Sequence, residues 1–315
     1  MDCLVTKLKG TVNDISLKAL GELTLKYKGA KEYIFQCLTS KDNMRYVVKS
    51  GNAVFLDADF SSEIGKDVTI PANSWRALKV NDENEVVVGV MDKYSLTGLS
   101  MQDNASDYDL SELIYSTGLL SIRVSSLVTG DISVLRNLKY TTFQMDRSKN
   151  ILGNLSDFSN SLANLFISGQ CQIKGNFDDI PAFMPNLGSV TITNQIAGNM
   201  SGSLKSLANM PKLAFINIYS SGMTYNWDST TLRDNSYPRI AIASKDYPIT
   251  FASPTDADNF IINMSTCSND GISSEKSINV TSRTAASNSA IKTLIGEGWE
   301  VTVNSVEQTG DESFD

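Results

Sequence analysis

Between residues 119 and 218 apolar residues recur in a pattern of offsets 0, 3 and 5. Offsets 3 and 5 lie two residues apart, which is the period of a strand with one buried face. A weaker copy is Leu138-Thr141-Phe143, and Tyr237-Ile240-Ile242, then Ile262 and Met264 more loosely, continue the series. The pattern predicts a row of short strands, of which the clearest are Leu119-Ile122-Val124, Leu162-Leu165-Ile167, Leu187-Val190-Ile192 and Leu213-Ile216-Ile218.

A second motif, glycine followed by Asp or Asn and a large apolar residue, lies between the predicted strands. Its four glycines are 23, 22 and 23 residues apart, and a fixed period of this size indicates a solenoid. We interpret the glycine as the supplier of a positive φ, and the Asp or Asn side chain as a hydrogen-bonding partner within its own turn. The copies are Gly130-Asp131-Ile132, Gly153-Asn154-Leu155, Gly175-Asn176-Phe177 and Gly198-Asn199-Met200.

The two ends of the chain lack this period. Residues 1–104 hold short strand-like runs bounded by Gly and Asn clusters, which predict a small antiparallel β domain with Trp75 in its core. Residues 284–295 predict a helix and residues 299–303 a strand, together a cap for the last repeat. The expected fold is therefore mainly β with some α: an N-terminal β domain (1–104), a repeat solenoid with its cap (105–304) and a flexible acidic tail (305–315).

The net charge of the chain argues against two classes of binding partner. The net charge is −8 and the sequence pI is about 4.8, which argues against binding to nucleic acid or to an anionic membrane surface. No segment approaches the roughly 18 apolar residues of a membrane span.

The chemistry available to a catalytic site is limited, because the chain has no histidine. This excludes Ser-His-Asp and Cys-His catalysis and His-ligated metals. Four dispersed cysteines, without a CxxC motif, are expected to be reduced and mostly buried. We therefore predict no cofactor and no metal. The acidic pairs Asp178-Asp179 and Asp256 with Asp258 leave a carbohydrate-processing enzyme as an alternative.

The strand pattern resembles leucine-rich repeats over residues 110–260. It departs from them at offset 8, where Gln170, Gln195 and Ser221 stand in place of the usual asparagine. The glycine triplet resembles repeats found in proteins of gut Bacteroidetes and their phages. The opening segment 3–10 and the segment 287–303 are similar to the start and the terminal cap of tail-associated proteins of crAss-like and related phages.

This resemblance implies a non-enzymatic structural virion protein, associated with a tail or fibre, whose N-terminal module docks on the particle. The N-terminus does not look like a signal peptide, which agrees with assembly in the host cytoplasm. The expected partners are other virion proteins and a host surface glycan or protein. Fibre proteins are often symmetric, so a homo-oligomer is also expected, although no residue fixes its stoichiometry. A bacterial leucine-rich-repeat interaction protein is a further alternative.

A binding surface is expected on the exposed strand positions, because neighbouring strands about 4.8 Å apart merge their side chains into one patch. An alternative is that a neighbouring loop or subunit covers the aromatic residues. The candidate binding residues are Arg123, Lys139, Tyr140, Phe166, Phe215, Tyr219 and Arg239.

Overall fold

The computed structural model describes residues 21–39, 43–101, 108–124, 126–193, 199–208, 210–213, 215–219, 224–227, 239–240, 248–266 and 276–313. The segment 3–10, Gly198, Tyr237 and Ile242 lie outside these ranges. The described part is mainly β with a few helices. The chain divides into two compact units, Met1–Tyr140 and Thr141–Asp315, so the division falls after the predicted boundary at residue 104.

The first unit contains eleven strands within its described residues. They are β1 (Leu23–Tyr27), β2 (Glu32–Thr39), β3 (Met44–Ser50), β4 (Ala53–Leu56), β5 (Glu63–Gly65), β6 (Asp67–Ile70), β7 (Ser74–Val80), β8 (Val86–Val90), β9 (Leu96–Met101), β10 (Ser121–Val124) and β11 (Gly130–Asp131). Three 3-10 helices, Lys93–Ser95, Leu110–Leu113 and Ile132–Leu135, lie between the later strands.

Strands β1 to β9 pair antiparallel in two sheets. One sheet has the order β1-β8-β3-β6, and a second runs β5-β4-β7-β2-β9. The two sheets face each other through aromatic contacts, with ring centroids 5.1 Å apart for Tyr27 and Tyr33 and 6.3 Å apart for Tyr46 and Phe55. Trp75, expected in this core, is only half-buried. Neighbouring Ala77 and Leu78 on the same strand are fully buried instead.

Parallel strand pairing begins before residue 105, where the sequence pattern placed the start of the repeat. Strand β9 pairs in parallel with β10, with Leu99 opposite Ile122. Leu96 and Leu99 are buried like Leu119 and Ile122, so β9 carries the same apolar spacing before residue 105.

The second unit contains thirteen strands and four α-helices within its described residues. The strands are β12 (Thr142–Asp146), β13 (Ile151–Asn154), β14 (Asn164–Ser168), β15 (Gln172–Asn176), β16 (Ser189–Thr193), β17 (Met200–Ser201), β18 (Phe215–Tyr219), β19 (Thr224–Tyr225), β20 (Arg239–Ile240), β21 (Thr250–Phe251), β22 (Ser277–Val280), β23 (Glu300–Val303) and β24 (Val306–Glu307). The helices are α1 (Ile180–Phe183), α2 (Leu204–Ala208), α3 (Pro254–Thr266) and α4 (Asn288–Gly296), with 3-10 helices at Leu155–Asp157, Phe177–Asp179 and Ala285–Ser287.

Two parallel ladders alternate along the chain in this unit. The first ladder has the order β12-β14-β16-β18-β20, and its strands β14, β16 and β18 match the predicted ones. The second ladder joins β13, β15 and β17. Two parallel bridges continue the pairing beyond β17. Ser203 pairs with Asn226, which follows β19, and Ile249, which precedes β21, pairs with Val280 in β22.

The inner side of the first ladder is buried, because its apolar residues alternate with polar ones. Phe143, Leu165, Ile167, Val190 and Ile192 have at most 1% exposure. Phe143 meets Phe158 edge-on with centroids 5.2 Å apart. The alternation that predicted these strands is therefore the alternation that buries them.

The C-terminal cap differs from the expectation in two places. Ile262 and Met264, read as a continuation of the strand series, lie in helix α3. Residues 306–313, expected to form a loose tail, are docked: β24 pairs with β23, and Arg283 forms an ion pair with Glu312. The expected helix and strand are present as α4 and β23, and β22 runs parallel to β23 across α4.

Candidate binding surface

The outer face of the first ladder is the surface that includes three of the seven candidate positions, Phe166, Phe215 and Tyr219. We define it as the positions that alternate with the buried ones in β12, β14, β16 and β18. Strand pairing sets Gln144, Phe166, Thr191 and Asn217 in one row across the four strands. A parallel ladder without a register shift therefore holds these side chains at the strand spacing of about 4.8 Å.

Phe166 is half-buried in this row, and its described neighbours are polar. Asn164 beside it on β14 approaches Thr142 Oγ1 with its Nδ2 atom at 3.4 Å. Thr191 and Thr193 on β16 are only 8% and 4% exposed. Asp146 is the one charged residue among the outer-face side chains that the structure describes. The face is therefore nearly neutral, with an aromatic ring among hydroxyl and amide groups.

Three predicted residues enter the same ladder by backbone pairing. Phe215 is opposite both Ser189 and Arg239, and Tyr219 is opposite Thr193. The side chains of Phe215, Tyr219 and Arg239 lie outside the described part of the structure. Phe166 and these three positions thus share one ladder.

The other three candidates belong to the first unit. Arg123 is half-buried on β10, opposite Ser100 of β9, and Lys139 is exposed ahead of the unit boundary. Tyr140 was predicted to be exposed, and this is wrong, because it is 0% exposed.

The burial of Tyr140 follows from the register of β12. Phe143 pairs with Leu165, which lies at offset 3 of its own repeat. Counting back three residues places Tyr140, and not Leu138, at offset 0, where Leu162 stands in the next repeat. The copy of the pattern in β12 is therefore Tyr140-Phe143-Met145, two residues later than the predicted Leu138-Thr141-Phe143. Tyr140, Phe143 and Met145 are all 0% exposed.

Three of the four triplet glycines supply a positive φ, as interpreted from the sequence, but they lie within strands β11, β13 and β15 and not in turns between strands. Gly130, Gly153 and Gly175 have φ values of 115°, 133° and 151°. Asp131 accepts a hydrogen bond from the backbone N–H of Ser133 at 2.8 Å, and Asn176 accepts one from Asp178 at 2.9 Å. Each acceptor caps the 3-10 helix that follows it.

The acidic residues considered for catalysis have structural hydrogen bonds. Asp256 accepts from the backbone N–H of Trp227 at 2.6 Å, and Asp258 accepts from Thr284 Oγ1 at 2.6 Å and Ser287 Oγ at 2.5 Å. Asp178 accepts from the hydroxyl of Ser206 and more weakly from Ser203 N at 3.3 Å. These bonds tie successive turns of the chain together.

Clustered metal-ligating side chains and cysteine thiols were the other chemical groups to locate in the ranges that the structure covers. No group of three or more Cys, Asp or Glu residues is placed to hold a metal ion there. Cys171 is buried, and burial raises the pKa of its thiol to about 11, which keeps it protonated near neutral pH. Within the same ranges, no helix combines the length and the apolar character that crossing a membrane requires.

One group of polar residues escaped the sequence reasoning. Tyr108-Asp109-Leu110 lies 22 residues before Gly130-Asp131-Ile132 and repeats the triplet with tyrosine in place of glycine. Asp109 caps the following 3-10 helix by accepting from Ser111 N at 2.9 Å, as Asp131 does one repeat later. A search for acid-apolar pairs at this period would have found it, whereas a search for glycine did not.

Comparisons with known proteins give no further assignment. No protein-family model matches the chain, and no curated protein matches it significantly.

Proposed function

We propose that this protein is a non-enzymatic structural component of a phage virion, associated with a tail or fibre. In this proposal the strands of the second unit are coils of a leucine-rich-repeat-like solenoid. The alternation of β12, β14, β16 and β18 with β13, β15 and β17 in two parallel ladders supports it, since stacked coils give one strand to each ladder.

The observation that carries the proposal is the outer face around Phe166. An aromatic side chain on an outward strand position, surrounded by polar groups and fixed in register, is typical of a contact surface. Adhesion to a host surface glycan or protein, or assembly with other virion proteins or further copies of this chain, would use this face. The first unit would dock on the particle.

The virion assignment is tested by mass spectrometry of purified particles. We expect this chain in particles at a stoichiometry fixed relative to the other tail proteins. Its presence in lysed host cells together with its absence from purified particles would instead favour a bacterial interaction protein.

The role of the outer face is tested with Phe166→Ala, and Phe183→Ala is the matched control. Phe183 lies on α1 in the same unit, is 38% exposed and is not part of the ladder. Loss of a well-packed aromatic anchor weakens a contact by about five- to thirtyfold. We expect weaker adsorption or incomplete particles for Phe166→Ala only. Equal behaviour of the two variants would contradict a role for this face.

A further inference from the structure

Residues 306–313, here called the arm, bury no large apolar side chain. Val306 is the only large apolar residue of the arm, and it is 65% exposed. Strand β24 pairs with β23 through Val306 and Val303, and Gln308 N donates to Val301 O at 2.9 Å. In its three-stranded sheet β24 is the outermost strand. The arm can therefore leave β23 without breaking any other strand pairing found among the described residues.

Polar and charged contacts hold the arm against the rest of the second unit. The side chain of Arg283 is 0% exposed, pairs with Glu312 and donates to Asn288 Oδ1 at 2.6 Å. Asn288 Nδ2 in turn donates to Glu312 O at 2.9 Å, and Lys292 Nζ lies 2.5 Å from Asp311 Oδ1. We call Arg283, Asn288 and Lys292 the socket. Its contacts would be the same if the arm came from a second copy of the chain.

The turn that joins β23 to β24 consists of two residues with left-handed backbone. Asn304 has a φ of 47° and Ser305 a φ of 66°. Two-residue hairpin turns with positive φ at both positions favour Asn followed by Gly, because a side chain in this conformation is strained. Ser305 stands where glycine is favoured. The closed turn is therefore strained at Ser305, and an extended chain through residues 304 and 305 relieves this strain.

Hydrogen bonds to a preceding segment support the closed turn against this strain. Asn304 Nδ2 donates to Thr281 O at 2.8 Å, and Ser305 N donates to Asn279 Oδ1 at 3.2 Å. Opening the turn loses these bonds, whereas two copies that exchange arms keep every contact between arm and socket. Exchange between two chains follows mass action, so a rising chain concentration favours it and dilution favours the closed turn.

We propose that two copies of this chain exchange their arms, so that Glu312 of the partner subunit occupies the socket of each copy. Asn304 and Ser305 form the hinge, which is extended in the exchanged pair. Each copy gives one arm and receives one, so the pair closes with twofold symmetry. Short hinges under strain favour exchange of this kind. The exchange uses neither the outer face around Phe166 nor a virion partner, so it and the proposed function can fail independently.

The first test is analytical ultracentrifugation of the full chain, refolded from urea at about 5 µM and at about 500 µM. We expect monomers at the lower concentration and dimers at the higher one, because two chains must meet before their arms can exchange. Monomers at both concentrations would overturn the proposal.

Two substitutions at Ser305 change the hinge in opposite directions. Glycine adopts a φ of 66° without strain, so Ser305→Gly should raise the dissociation constant of the dimer at least about tenfold. Proline cannot adopt this φ, so Ser305→Pro should lower that constant at least about tenfold. Asn73→Gly is the matched control, because Asn73 has a φ of 56° and lies outside the hinge. Equal dissociation constants for the two Ser305 variants, or equal effects of Ser305→Gly and Asn73→Gly, would contradict a role for the hinge.

Carbodiimide cross-linking identifies whose arm fills the socket, because it joins an ammonium group directly to a carboxylate in contact with it. The chain is refolded as an equal mixture of nitrogen-isotope-labelled and unlabelled copies, and Lys292 and Asp311 are the reporter pair. An exchanged dimer should give cross-linked peptides in which Lys292 comes from a labelled copy and Asp311 from an unlabelled one, or the reverse. Mass spectrometry distinguishes these mixed peptides. Dimers whose cross-links between Lys292 and Asp311 carry a single isotope would have another interface and would rule out the exchange.

Discussion

Single residues in the second unit are constrained by close contacts with residues about 20 positions away in the sequence. Gly175 shows this: with φ at 151°, a Cβ atom there would lie 2.9 Å from Leu155 Cβ in the preceding turn. Glycine is therefore needed both for its backbone conformation and for the close approach. The sequence revealed the first reason through the triplet and gave no sign of the second, because Leu155 is 20 residues away.

Replacement of Gly175 by alanine should lower the free energy of unfolding by about 1–3 kcal/mol, through left-handed strain and the clash with Leu155. Gly296→Ala is the control, because Gly296 ends helix α4 and has no atom within 4 Å of an added Cβ. That change should be neutral or stabilising by up to about 1 kcal/mol. Urea denaturation measures the free energy of unfolding of both variants. Equal stabilities would contradict the close contact between Gly175 and Leu155 as a constraint on residue 175.

Among whole elements, the strands were predictable and their partners were not. The alternation in Leu162-Leu165-Ile167 predicted β14 because a half-buried strand needs nothing beyond its own spacing. The register of β12 was not predictable in this way, because Leu138 and Tyr140 are both apolar. Either of them can be the first buried position of a strand that contains Phe143. Both are buried, and only the pairing of Phe143 with Leu165 places Tyr140, and not Leu138, at offset 0 of the pattern.

The docked segment 306–313 contains a carboxylate, Glu312, whose pKa depends on its contacts. Partial burial alone would raise the pKa of Glu312. Hydrogen bonds from the backbone N–H groups of Thr309, of Glu312 itself and of Gly310, and from the Thr309 hydroxyl, lower that pKa to about 2, from an ordinary value of 4.5. A lowered folded-state pKa contributes stability above pH 4.5, and this contribution is lost as the pH falls toward 2.

Thermal unfolding between pH 7 and pH 2 should therefore show a loss of stability for the native chain, and this loss should be absent from Glu312→Gln. At pH 7 the variant should be less stable by roughly 1–2 kcal/mol, allowing for solvent screening of this partly exposed carboxylate. Glu307→Gln, an exposed carboxylate on β24, is the control and should follow the native curve. Parallel curves for the native chain and Glu312→Gln would show that the docked segment does not depend on this charge.

The whole molecule is acidic, with a net charge of −8, and this charge repels anionic partners at long range. Asp146 is the only charged side chain described on the outer face, so contacts there depend on hydroxyl, amide and aromatic groups. The proposed partners, a host surface glycan or another protein, agree with both observations.

We expect no retention on double-stranded DNA or on anionic lipid vesicles at about 0.15 M salt, because a protein that binds phosphate needs clustered cations. Retention on an anion exchanger under the same conditions is the positive control. Salt-sensitive binding to DNA would reveal a basic surface and would contradict this prediction.

The sequence by itself determined the class of the fold and the positions of the first ladder's strands, because the spacing of apolar residues is a local property. It also indicated the positive φ of the triplet glycines and the helix caps at Asp131 and Asn176, since both act within a few residues. The tertiary structure decided which face Tyr140 occupies and where residues 306–313 lie. Both depend on partners 20 or more residues away along the chain, and no local spacing encodes such a pairing.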